Sequence, residues 1–336
     1  MQDSASELPG PGVLQKRLFL GLFFGLLVYA GFVLWADAGG IRDALKDFNL
    51  WLLPLACGLS FLNYVVRFAR WQRYCKLLDV KLKTGTSFLI YLAGLSLTVT
   101  PGKMGEVFKS WMIREVDGSP VTRTAPIVIA ERFTDLLAFL VLVGFSGIAT
   151  QPDYAWIFWV TLVLCAFLLV LFGSERAAHA VCGILARVPV VGRFAPKLVA
   201  AFDSTRILTS PRELVLPTFV ATIGWGLECL GFWLIANSLL DGGDGGGVPF
   251  LFATYSFALA AVAGAVVILF PGGLGITEGT MSGLLQSRYS ALGVATEAAR
   301  AKAVSATLLI RLCTLWFAVA VGLIALALFR RSRRVD

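Results

Sequence analysis

The chain is expected to fold as an all-α polytopic membrane protein, with about six full transmembrane helices and two re-entrant, Pro-Gly broken helical hairpins in an inverted repeat. Three observations carry that expectation. Hydrophobic residues make up 57% of the 336 residues and charged residues 15%, with a mean hydropathy of +0.79, a balance typical of chains that live in lipid. Strands that alternate apolar and polar residues are missing, which argues against a membrane barrel. Finally, two long apolar stretches run into Pro-Gly and then a further glycine and a carboxylate. The first is Thr100-Pro101-Gly102-Lys103-Met104-Gly105-Glu106, and the second is Phe270-Pro271-Gly272-Gly273-Leu274-Gly275-Ile276-Thr277-Glu278-Gly279. Proline removes a donor and breaks a helix, while glycine frees the backbone to turn. At membrane depth, broken backbone is tolerated only inside protein or along a cavity.

In chain order, residues 1–15 are polar and contain Pro and Gly, so they read as a disordered tail. A first span covers Leu18 to Ala36; without an A-x-A-like cleavage site it reads as a helix rather than a signal peptide. A short amphipathic piece, Ile41 to Phe48, precedes a span from Leu50 to Leu78. The first broken segment is Ser87 to Met112. Spans follow over Ala125 to Ala149 and Tyr154 to Phe172. Residues 173–212 are rich in Arg and only moderately apolar, as expected of a cytoplasmic interfacial segment. A span from Leu214 to Leu240, the second broken segment Phe250 to Leu285, and a span from Ala301 to Phe329 complete one transmembrane domain over 1–336, ending in a basic tail at 330–336.

Cation placement orients the chain. Lys16-Arg17 and Arg330-Arg331-Ser332-Arg333-Arg334 put both termini in the cytoplasm, in the plasma (inner) membrane of a prokaryote. The first broken segment has Lys81 and Lys83 before it and Lys109, Arg114 and Arg123 after it, so it enters from the cytoplasm and returns there. Its leading arm, Ser87 to Thr100, is about 21 Å long against a core of roughly 30 Å. The second broken segment then enters from outside, which leaves Arg288, Arg300 and Lys302 outside, against the usual bias. Its leading arm, Phe250 to Phe270, is also long enough to cross alone, so a full crossing stays open beside the hairpin.

The net charge of +8 belongs to this topology and not to nucleic acid. Cys57, Cys75, Cys165, Cys182, Cys229 and Cys313 lie singly in mostly apolar surroundings and are expected to be unpaired thiols. With no CxxC and the single His179, no metal site or cofactor is expected.

Ionisable groups inside a membrane are candidates for function. Glu131, Arg132 and Asp135 lie about two turns into their span, with Glu131 and Asp135 on one face and Arg132 able to pair with Asp135. Arg311 occupies a comparable depth from the other side, and Glu228 lies deep in its span with Trp225 nearby. Arg67 joins the candidate set from the face Asn63, Arg67, Arg70 and Trp71, although Arg67, Arg70 and Arg73 also read as snorkelling cations. Arg311 has two candidate counter-ions, Glu228 and Glu278; pairs of this kind would lock helices together. A helix restarting after Pro-Gly presents free N–H groups and a positive dipole end, which suit a phosphate. Lys103, Lys109, Arg132 and Arg311 would add charge. Glu106 and Glu278 would take a cationic headgroup, carry a proton or neutralise these cations.

At these residues the chain resembles the lysylphosphatidylglycerol synthase transmembrane family. The matching elements are Thr100-Pro101-Gly102-Lys103-x-Gly105-Glu106 with Lys109, then Glu131-Arg132-x-x-Asp135, then Pro271-Gly272-Gly273-Leu274-Gly275-x-x-Glu278-Gly279, then Arg311. The resemblance implies movement of lipids between leaflets, as attributed to the membrane part of the multiple peptide resistance factors. Because the chain stops at Asp336, it implies the flippase half without the aminoacyl-transferase half.

The expected activity is translocation of an anionic or zwitterionic phospholipid, or a polyprenyl-phosphate-linked lipid, with the headgroup held at the two restarting helices. Lys103 in place of Gly273 favours capture from the inner leaflet. The rival readings are an intramembrane lipid-modifying enzyme using Glu131, Asp135 or Glu278 as base, and a non-transporting scaffold. A lipid substrate, a lipid-synthesis enzyme and a second copy in a homodimer are the expected partners.

Overall fold

A computed structural model describes residues 11–46, 48–99, 108–150, 205–240, 246–266 and 273–333, with single helical residues between 156 and 183. Pro101, Gly102, Lys103, Gly105, Glu106, Pro271 and Gly272 lie outside the described residues. So do His179, Cys165, Cys182, most of the 154–172 span and most of 173–212.

Every regular element among the described residues is helical. They are α1 (Pro11–Trp35), α2 (Ala38–Ala44), α3 (Leu52–Leu77), α4 (Thr84–Gly94) with a 3-10 turn at Leu95–Leu97, α5 (Phe108–Asp117), α6 (Val121–Thr124) and α7 (Pro126–Thr150). After the central gap come α8 (Pro211–Ser238), α9 (Phe250–Val266), α10 (Ile276–Ala291), α11 (Thr296–Arg311), a π-helical turn at Leu312–Trp316, and α12 (Phe317–Ser332).

Among the described residues, four helices are long and apolar enough to cross a membrane: Leu52–Leu77, Val121–Thr150, Arg212–Ser238 and Thr296–Ser332. The pair Phe23–Trp35 and Ala38–Ala44, bent by 88°, would make a fifth. The expected amphipathic piece after α1 is shorter and earlier than its sequence suggested. Asp37 caps it by accepting the Gly40 N–H at 3.0 Å. The last span starts earlier than Ala301, at Thr296, with Glu297 in its favourable first turn.

In each broken segment a helix precedes and another follows residues that lie outside the described ones, 100–107 and 267–272. At about 1.5 Å per residue, α5, α9 and α10 all fall short of a roughly 30 Å core, and each partners the other arm of its segment. Around the second segment, Phe139, Phe232, Ile235, Tyr255, Leu285 and Ile310 form one buried cluster. Around the first, Trp71, Tyr74, Ile90, Ile113, Leu326 and Phe329 form another. The last long helix serves both: α11 belongs to the first cluster and α12 to the second.

In lipid, apolar burial between helices gains little over lipid contact, so close packing and hydrogen bonds must hold them together. Ala299, Ala303 and Ala306 are fully buried on α11. A Cβ on Gly322 would lie 2.8 Å from Ser96 Cα and 2.9 Å from the Leu95 carbonyl carbon, so α12 runs against the backbone of the 3-10 turn. At the π-turn, Tyr64 donates to the Thr314 carbonyl at 3.1 Å, and Trp316 stands edge-on to Tyr29 with ring centroids 5.9 Å apart. Large apolar side chains such as Leu34, Trp51, Phe145, Phe219 and Ile324 face outward, as lipid-facing positions do. Cys57, Cys75, Cys229 and Cys313 are free thiols, as expected.

Candidate functional site

Asp135 is the centre of the larger charged cluster. It lies on α7 and is 4% exposed. Arg67 Nη2 on α3 meets both its oxygens, at 3.0 Å and 2.8 Å, and Arg70 Nη1 meets Oδ1 at 2.8 Å. Arg132, one turn earlier on α7, approaches Oδ2 at 3.2 Å, the pairing its spacing suggested. From α8, Trp225 donates its indole N–H to Oδ1 at 3.2 Å. Three guanidinium groups therefore surround one carboxylate.

The same helices bring in more polar groups. The Arg67 guanidinium stacks 4.5 Å over Trp225, whose ring packs on Phe139. Arg70 Nη1 also donates to Thr134 at 2.9 Å. Asn63, one turn before Arg67, donates to Glu228 on α8 at 2.6 Å. Gly224 makes this crossing feasible, because a Cβ there would strike Asn63 Oδ1 and the Arg67 stem.

Arg67 and Arg70 do not snorkel. Their side chains are 6% and 0% exposed and turn inward to Asp135, because an acceptor at membrane depth outweighs the reach to water. Only Arg73 keeps a half-exposed position, bridged to Glu213 at 2.7 Å. Among the described residues, the Nε and Nη2 groups of Arg70 have no hydrogen-bond partner, an uncommon and costly state for a buried cation.

Lys109 makes the second contact. Its ammonium pairs with Glu131, and both are buried. It passes over Gly94, where a Cβ would run into its stem, and lies 4.8 Å from the Trp71 ring and 5.7 Å from Tyr91. The arm after the first break is thereby tied to α7. Glu131 stands one turn before Asp135 on α7, so the two clusters are neighbours on one helix.

At the second break the chemistry is inverted. Gly273 and Gly275 take φ of +69° and +89°, conformations that favour glycine. Glu278 is fully buried; one of its oxygens accepts the Gly275 N–H at 2.7 Å and the other accepts Arg311 Nε at 2.5 Å. Arg311 thus contacts Glu278, one of the two counter-ions open to it. The anion position at this restarting helix, read from sequence as a seat for phosphate, is filled by the protein's own carboxylate. Gly279 sits in the next turn, with Phe32 at van der Waals distance from its missing Cβ.

The chain has relatives among known proteins. A family model described as the lysylphosphatidylglycerol synthase TM region matches residues 22–322. The chain belongs to that family. A UPF0104 membrane protein of Methanothermobacter thermautotrophicus is 25% identical over 93% of this chain and 95% of its own length. A second UPF0104 membrane protein, from Pyrococcus horikoshii, is 23% identical over 91% of this chain and 95% of its own length. The chain is thus a multi-pass membrane protein of the lysylphosphatidylglycerol synthase TM family.

Of the candidates, the structure joins Arg67, Arg132 and Asp135 in one cluster, Lys109 and Glu131 in a second, and Glu278 and Arg311 in a third. Glu228 borders the first through Asn63. Sequence reasoning assigned Arg70 to the surface and passed over Thr134. The signal was present: Asn63, Arg67, Arg70 and Tyr74 fall on one helical stripe, and all four are buried.

Proposed function

We propose that this family member is a lipid translocase, not an enzyme, that moves an anionic or zwitterionic phospholipid or a polyprenyl-phosphate-linked lipid between leaflets. The observation that supports the reading best is the Arg70 guanidinium, buried beside Asp135 with two donor nitrogens, Nε and Nη2, unpartnered among the described residues. A phosphate supplies acceptors for those donors. Because Glu278 fills the outer restart, the headgroup engages the Asp135 side and not both helix restarts equally.

The two broken segments act as re-entrant hairpins of opposite topology, with the Asp135 cluster toward the cytoplasm and both termini there. Lysine and arginine placement supports this orientation. The Lys109–Glu131 and Glu278–Arg311 contacts then hold one hairpin each against a long helix. Opening the first admits a headgroup to Arg70 from the inner leaflet, and opening the second releases it outward.

The test is reconstitution into liposomes with labelled lipids, scoring leaflet exchange and product chemistry together. Protein-dependent exchange without new product is expected. A new lipid product would instead assign an enzyme, and neither exchange nor product across phospholipids and polyprenyl-phosphate sugars would leave a scaffold for a lipid-synthesis enzyme.

A further inference from the structure

A cavity of about 370 Å³, open at the surface, where Ala149, Pro249 and Phe250 are exposed, lies far from the Asp135 cluster, between the end of α7 and the start of α9. Ala149 and Thr150, the first turn from Pro249 to Phe252, and Arg288 of α10 line it. Along α7 it stands about 22 Å from Asp135, at roughly 1.5 Å per residue.

The polar features of this cavity all favour an anion. Among the described residues, no carboxylate lines the cavity, the Arg288 Nε is buried without a hydrogen-bond partner, and its Nη2 reaches the Gly247 carbonyl at 3.4 Å. The first intrahelical donor of α9 here is Ala253, whose N–H reaches the Pro249 carbonyl at 3.1 Å. The preceding N–H groups of Phe250, Leu251 and Phe252 therefore have no carbonyl of their own helix. Apart from Thr150, whose hydroxyl donates to the Ser146 carbonyl, the remaining walls carry apolar side chains, which suit an acyl chain. Arg288 is also one of the cations that runs against the usual cytoplasmic bias under the proposed topology.

We infer that this cavity is a binding site for the phosphate of an anionic membrane lipid, with Arg288 and the α9 first turn holding the phosphate and the apolar walls holding the upper acyl chain. Under the proposed topology it samples the outer leaflet. Binding here requires no transport, so the site stands even if lipid movement is not observed, and its test reads occupancy alone.

The experiment is labelling of the full-length purified protein by a photoreactive phosphatidic acid, with cross-links mapped by peptide. Labels are expected on the 149–150 and 249–252 peptides, removed by excess dioctanoyl phosphatidic acid but not by dioctanoylglycerol or inorganic phosphate. Arg288→Gln should cut this labelling roughly tenfold, the loss of one charge-assisted contact. Ala149→Trp, which fills the cavity and leaves Arg288 intact, should do the same if Arg288→Gln fails to fold. Unchanged labelling in a folded Arg288→Gln protein, or equal competition by dioctanoylglycerol, would remove the phosphate site. Equal competition by inorganic phosphate would show a soluble-ion site and overturn the lipid assignment.

Discussion

Arg311 Nε lies 2.5 Å from Oε1 of Glu278, and this contact fastens the helix that restarts after the second break to the last long helix. Glu278 does this while its other oxygen caps its own helix at Gly275. Lys109 and Glu131 make the charge-inverted counterpart at the first break, with the cation on the short arm and the anion on the long helix. The π-turn at Leu312–Trp316 begins one residue after Arg311, where a helix with one widened turn can re-aim its lower half.

The two roles of Glu278 separate by substitution. Glu278→Ala removes the cap and strands Arg311, and should destabilise the purified protein by about 3–5 kcal/mol, the usual range for breaking a buried pair. Glu278→Gln retains an acceptor for the Gly275 N–H and should cost measurably less in chemical unfolding. Equal losses would mean that the cap contributes nothing.

The Lys109–Glu131 contact predicts a charge-swap rescue. Lys109→Glu alone places two carboxylates together in the membrane and should prevent stable folding or lower the melting temperature sharply. Lys109→Glu with Glu131→Lys should recover part of the loss. Rescue is incomplete because Glu131 also neighbours Arg70, so a swapped lysine would face that guanidinium. Thermal melts of the three proteins in detergent decide it, and a double variant no better than the single would refute the pairing.

Packing between α12 and the first broken segment depends on one glycine. Gly322→Leu drives a side chain into the Ser96 and Leu95 backbone and should destabilise by at least about 1–3 kcal/mol, the usual cost of overpacking. Gly58→Ala, where nothing lies within 4 Å, should stabilise α3 by up to about 1 kcal/mol through helix propensity. Unfolding midpoints of the two variants test the contrast.

Much of this architecture was legible in the sequence because lipid imposes simple rules. Apolar length marked α3, α7, α8 and the last helix, and Pro-Gly marked the breaks. The Arg132–Asp135 contact followed from helical spacing, and Arg311–Glu278 was one of two pairings left open. Contacts between distant helices were less accessible. That Arg67 and Arg70 turn inward depends on α7 placing Asp135 opposite them, a relationship across more than sixty residues of chain. The self-capping of the second restart was hidden for a different reason. Glu278 lies three residues after Gly275, the spacing of a capping carboxylate, but the same residue also reads as a free intramembrane acid.

The central claim is that the Asp135 cluster receives a lipid phosphate through Arg70. The most direct measurement is leaflet exchange of a labelled anionic phospholipid in proteoliposomes carrying wild type, Arg70→Gln or Arg73→Gln protein, each shown to be folded by its melting profile. Exchange is expected in wild type and in Arg73→Gln, whose half-exposed bridge to Glu213 contributes at most about 1 kcal/mol. It is expected to be lost in Arg70→Gln. Undiminished exchange in folded Arg70→Gln protein would contradict the account.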